Sequence, residues 1–155
     1  MLFDADSMDY VDAFFQTMKG FASFIIGVSD GQEARSYEWC AQGMQRGDVS
    51  TPDGLMVMTN HYVSENWPFT QPDDEASWIS QTRRKNLLAR AEQHKGTIDV
   101  KTMQQIMGTS IEEGGPKHEL TVYQLVFVPQ RMTLWMRISH LTDWQCVDLK
   151  TFFFR

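Results

Sequence analysis

The sequence predicts an α+β fold, an antiparallel sheet packed with helices. Two patterns and their order carry this. Met8, Val11, Phe14, Phe15 and Met18 recur at helical spacing near the start. Thr133-Leu134-Trp135-Met136-Arg137-Ile138 alternates side to side, as a half-buried strand does. Between them, strands and helices come in runs without strict βα alternation, which favours helices laid on an antiparallel sheet.

Taken in order, Ser7 caps a first helix reaching about Lys19, and Gly20 suits its stop. Ala22 to Val28 is a short apolar strand. Ser29-Asp30-Gly31 supplies turn chemistry, and Glu33 to Trp39 returns as a hairpin. Gly43, Gly47, Pro52 and Gly54 mark an irregular connection, after which Leu55 to Thr59 is expected to be a central, buried strand. Glu65 to Ser80, with its prolines and acids, reads as a surface loop whose aromatics either pin it to the body or form a lid. Thr82 to His94 is helical, with Arg83 and Arg84 in its first turn. Asp99 caps a further helix through Met107, closed by Gly108. The remainder is a meander: Leu120 to Val128, a Pro129-Gln130 turn, Met132 to Ile138, then Trp144 to Leu149.

The 155 residues suit a single domain with a sizeable core, and 42% hydrophobic content with ten Phe and five Trp favours a packed interior over disorder. Net charge is −6 and the longest basic run is Arg83-Arg84-Lys85, which argues against a nucleic-acid surface. No apolar run reaches transmembrane length, and the start at Met1 lacks the pattern of a signal peptide, so a cytoplasmic protein is the default expectation. Cys40 and Cys146 lie far apart and form no CxxC. Both are expected to be buried free thiols. The histidines His61, His94, His118 and His140 show no metal-ligand spacing, and no phosphate loop or GxSxG elbow is present. No metal or cofactor is implied. What remains is a possible oxyanion donor, Asn60 at the strand end, and a possible cation at a helix start, without a nucleophile.

Several motifs in order carry a resemblance. They are Phe24-Ile25-Ile26-Gly27-Val28-Ser29-Asp30-Gly31 followed by Tyr37-Glu38-Trp39, then Thr59-Asn60-His61-Tyr62, Trp67, Arg83-Arg84 and Leu120-Thr121-Val122-Tyr123. Together they resemble the C-terminal portion of linear amide C–N hydrolases. These are N-terminal-nucleophile enzymes of the choloylglycine hydrolase group, which includes penicillin acyltransferase-like proteins and acid ceramidase. The resemblance spans nearly all of residues 1–155 and implies part of an αββα fold. It implies Asn60 as oxyanion donor and Arg83, or Arg84 one residue on, as the cation beside the nucleophile. His61, Tyr62 and Trp67 are then candidates for holding an N-acyl amide substrate. The family's nucleophile is an N-terminal Cys well over a hundred residues before the Thr-Asn strand, and this chain reaches Asn60 too soon to carry it. Cys40 does not substitute. The implied reading is a C-terminal portion, inactive alone, that needs an upstream catalytic segment. The alternative is a non-catalytic ligand-binding or homodimeric assembly module. A reactive Cys40 is a third, lesser reading.

Overall fold

The computed structural model describes residues 6–30, 32–50, 54–67 and 69–153. Residues 1–5 and the turn and loop residues Gly31, Pro52 and Pro68 lie outside the described residues. The protein is α+β, with two three-stranded antiparallel sheets and four helices among the described residues. It divides into two compact units, 1–88 and 89–155.

The first unit begins with α1 (Met8–Thr17). Ser7 caps it as expected, its hydroxyl accepting the Tyr10 N–H at 3.2 Å. A sheet follows, β1 (Phe24–Ser29), β2 (Ala34–Cys40) and β3 (Gly43–Ser50), in the order β1-β2-β3. Side chains alternate across β2, so its two faces meet different neighbours. Tyr37 and Trp39 point to α1, where Phe15 stacks on Tyr37 with ring centroids 4.7 Å apart and meets Trp39 edge-on at 5.4 Å. Val11, Phe15 and Tyr37 form the core, with Phe14, Ile26, Val28 and Met44 packed around it. Burying each such large side chain contributes about 1.5–3 kcal/mol. Met18, the last residue of the expected apolar stripe, is exposed beyond the helix end.

Asp12 also lies on the buried side of α1. Its carboxylate accepts the Tyr37 hydroxyl at 2.6 Å and pairs with Arg35 at 2.9 Å and with Arg46. A buried carboxylate is tolerated because two guanidiniums and a phenol satisfy it.

Two expectations about strands are corrected here. Gly43–Ser50 is a strand, not an irregular connection, and Leu55–Thr59 is not a strand at all. In β3, Met44 and Arg46 serve the α1 face. Gly47 sits where β3 carries one extra residue against β2, and a Cβ there would come within 2.5 Å of the Ser36 hydroxyl. The apolar 55–58 run instead lies across the sheet without joining its ladder. Gly27 of β1 makes room for it, since a Cβ there would collide with the Met58 methyl at 2.4 Å.

The start of α2 (Glu75–Gln93) is a third correction, because the helix begins seven residues before Thr82. Asp74 accepts the Ser77 N–H at 2.9 Å and acts as its cap, and Glu75 in the first turn suits the helix dipole. The acids that read as loop are a helix start. Arg83 and Arg84 therefore lie about two turns into α2 rather than at its opening.

In the second unit, α3 (Val100–Gly108) is capped by Asp99 as expected, the Thr102 N–H donating at 2.7 Å. It packs against a sheet of β4 (Tyr123–Val128), β5 (Thr133–Ile138) and β6 (Gln145–Asp148), ordered β4-β5-β6. The β4–β5 turn is a 3-10 turn over Pro129–Arg131, and α4 (Lys150–Phe153) follows β6. Buried Gln124 links sheet to helix: its amide nitrogen donates to Met107 O and its oxygen accepts Arg137 Nε at 2.6 Å. The Arg137 guanidinium thus lies by the C-terminal end of α3, where the helix dipole favours a cation, and 5.0 Å from the Trp144 ring centre. Arg90 donates to the carbonyls of Gly114 and Glu113 at 2.6 and 2.5 Å and holds that turn. Cys40 is buried as expected, but Cys146 is exposed, because β6 pairs on one side only and leaves its residues at the sheet edge. Among the described residues no helix is long and apolar enough to cross a membrane.

Candidate functional site

The face of β2 opposite α1 presents Ser36, Glu38 and Cys40, all buried. Glu38 is the anchor of what lies over it. Its carboxylate accepts the Val63 N–H, the Ser64 N–H at 3.3 and 3.2 Å, and the Trp67 indole N–H at 2.8 Å. Three N–H donors meet the acceptor capacity of this buried side chain, so no oxygen is left without a partner on the sheet. This fixes residues 63–67 on the sheet.

The aromatic residues follow. Tyr62, buried, stacks on Trp67 at 5.2 Å, and Trp67 stacks on Phe69 at 5.2 Å. Gln71 then closes the loop, accepting the Tyr62 N–H at 2.7 Å and donating to the Tyr62 carbonyl at 2.6 Å. Burial pushes the Tyr62 phenol up, opposed by its hydrogen bond with Ser23. Of the two readings of this loop, pinning to the body describes residues 63–67 and 69–71.

Beside the pinned loop is a cavity of about 480 Å³. Phe24, Ile25, Met58 and Phe69 give it apolar walls, and Asn60 and His61 give it polar ones. Arg83 Nη1 donates to Asn60 Oδ1 at 3.1 Å. A guanidinium only donates, so the amide oxygen faces Arg83 and the Asn60 Nδ2 group keeps its donors for other partners. Among the described residues no acceptor engages Nδ2.

His61 faces the α2 side. Its Nδ1 lies 3.1 Å from Thr59 Oγ1 and 2.9 Å from Ser80 Oγ. Burial, with the neighbouring Arg84 charge, holds its pKa below the ordinary value, and Glu38 opposes this. Such a group takes up a proton less readily folded than unfolded. Stability from it is therefore present above the ordinary pKa of about 6.5 and is lost as pH falls below it. Urea midpoints measured from pH 7.5 to 5.5 are expected to fall more steeply for the wild type than for His61→Gln. Equal slopes would show that His61 does not titrate this way.

The structure thus brings Asn60, His61 and Tyr62 to one cavity, and Arg83 meets it through Asn60. Trp67 lies behind it, on Glu38 and Tyr62, and Phe69 is the aromatic in the wall. Arg84 stands by His61 rather than by Asn60. Sequence reasoning named Trp67 and Phe69 as residues that pin the loop, and missed Glu38, Gln71 and Ser80 as parts of this arrangement. Cys40 donates to the Gln42 side chain at 2.9 Å and is buried. Among the described residues no cluster of three or more His, Cys, Asp or Glu is arranged to hold a metal ion. No protein-family model, curated protein or solved structure matches the chain.

Proposed function

We propose that residues 54–88 with the β1–β2 sheet form the carbonyl-binding part of an amide C–N hydrolase or acyltransferase acting on N-acyl amides. The hydrogen bond from Arg83 to Asn60 at the cavity margin carries this reading. In it, Asn60 Nδ2 donates to the substrate carbonyl and, more strongly, to the oxyanion formed when that carbonyl is attacked. Arg83 is a positioning residue: it fixes which end of the Asn60 amide faces the substrate. The acyl chain lies on Phe24, Ile25, Met58 and Phe69. Attack requires a thiolate from a segment other than the described residues, so residues 1–155 bind the amide without turning it over.

The test is calorimetric titration with an N-octanoyl amino-acid amide. Saturable binding is expected, with no hydrolysis product on long incubation. Asn60→Ala is expected to weaken binding about 5–10-fold, the loss of one neutral hydrogen bond. Unchanged affinity in that variant, or turnover by the chain alone, would contradict the reading. The second reading is a ligand-binding module without catalysis. It is favoured by the absence of any thiol among the residues lining the cavity. It predicts the same binding and no turnover even when a Cys-bearing partner segment is supplied.

A further inference from the structure

Among its described residues the second unit leaves one edge of its sheet without a pairing strand. β4 pairs with β5 on one side only. Ser139 N–H donates to Val122 O at 2.8 Å, so Val122 turns its backbone groups towards β5. Antiparallel strands alternate in this respect, which gives Gln124, Val126 and Val128 the same direction. The Leu149 N–H donating to Met132 O at 2.8 Å sets the complementary alternation on β5, and the two agree. The N–H and C=O groups of Tyr123, Leu125 and Phe127 therefore point away from the sheet.

Natural edges are blunted by Lys, Pro, bulges or a covering element. β4 has none of the first three: Tyr-Gln-Leu-Val-Phe-Val carries no charge and no proline, and its register with β5 is unbroken. Its outward-pointing residues also expose their side chains, Tyr123 by 63%, Leu125 by 45% and Phe127 by 49%.

We infer that this edge pairs with the β4 edge of a second copy of the chain. The pattern is self-complementary about Leu125. An antiparallel pairing of Leu125 with its own copy sets Tyr123 opposite Phe127 twice, and all three outward residues then exchange bonds, about six in total. The two Tyr–Phe cross-strand pairs are favourable, and the absence of charge from Leu120 to Gln130 leaves nothing to repel the copy. The two sheets join into one of six strands. One strand-to-strand contact buries less than the roughly 1,200 Å² of a standard interface, so the dimer is weak and dissociates on the order of 10 µM. This inference is independent of the reading of the first unit.

Sedimentation velocity on the full chain tests it, between about 1 µM and about 300 µM. The mass is expected to rise from monomer to dimer over that range. Leu125→Lys puts two ammonium groups face to face on the two-fold and is expected to remain monomeric. Its own ladder is preserved, because Leu125 does not bond to β5. Amide exchange on the wild type needs no variant. Tyr123, Leu125 and Phe127 are expected to become protected as concentration rises, while Gln124 and Val126 are protected throughout. A wild type monomeric at the top concentration would overturn the proposal. So would a folded Leu125→Lys that still dimerises, or free exchange of the three outward amides within a dimer.

Discussion

Glu38→Ala is expected to lower stability by about 3 kcal/mol and to release the aromatic loop from the sheet. Glu38 is one of the most buried residues of the first unit, and its carboxylate is the acceptor for two backbone N–H groups and the Trp67 indole. Bonds to a charged acceptor contribute about 1.5–3 kcal/mol each, and the cost of burying the charge offsets part of their sum. In a chain of this size the loss corresponds to a melting temperature lower by about 6–12 °C. Glu38→Gln keeps one oxygen and is expected to lose roughly half as much. Loss of the near-ultraviolet circular dichroism of the Trp67–Tyr62 stack should accompany the shift in Glu38→Ala. A variant within about 0.5 kcal/mol of wild type would mean that the stack and Gln71 hold the loop unaided.

Asp12→Ala is expected to cost more, about 3–5 kcal/mol. Removing this carboxylate leaves the Tyr37 hydroxyl without its acceptor and takes one of the carboxylates from Arg35 inside the α1–sheet contact. Arg35 keeps Glu33, so its charge is not wholly stranded. Arg46 is more exposed and turns to solvent at little cost. The larger part of the loss is therefore assigned to Arg35 and Tyr37. Urea unfolding of Asp12→Ala and Arg46→Ala checks this: the first is expected to fall sharply, the second by less than about 1 kcal/mol. Equal losses would place the main interaction on the exposed arginine.

Local signals were legible in the sequence where a side chain answers its own backbone. Ser7 and Asp99 cap the helices they precede, and the hairpin and the meander follow their alternation. Asp74 gave the same kind of signal but was hidden by the prolines before it. Where burial is decided by distant chain, local pattern misled. The 55–58 run is apolar because it covers a sheet face, not because it joins a ladder. Gly47 of β3 marks close approach to β2 and Gly43 a positive φ at the start of the strand, rather than a loop. Asn60 and Arg83 were named together from short motifs, and the hydrogen bond between them does not depend on the helix opening that was expected for Arg83. Glu38 could not be read as an anchor, because its donors come from 25 to 29 residues away.

In the proposed site Asn60 Nδ2 meets the substrate carbonyl. Its most direct test is the side-chain amide resonance of Asn60 in a ¹H–¹⁵N spectrum, assigned by its loss in Asn60→Asp. On titration with an N-octanoyl amino-acid amide, one Nδ2 proton is expected to move downfield and saturate with the binding isotherm. The same titration of Arg83→Ala should give a smaller shift, because the amide is then free to turn. An Asn60 resonance that stays in place while ligand binds would contradict the proposed site.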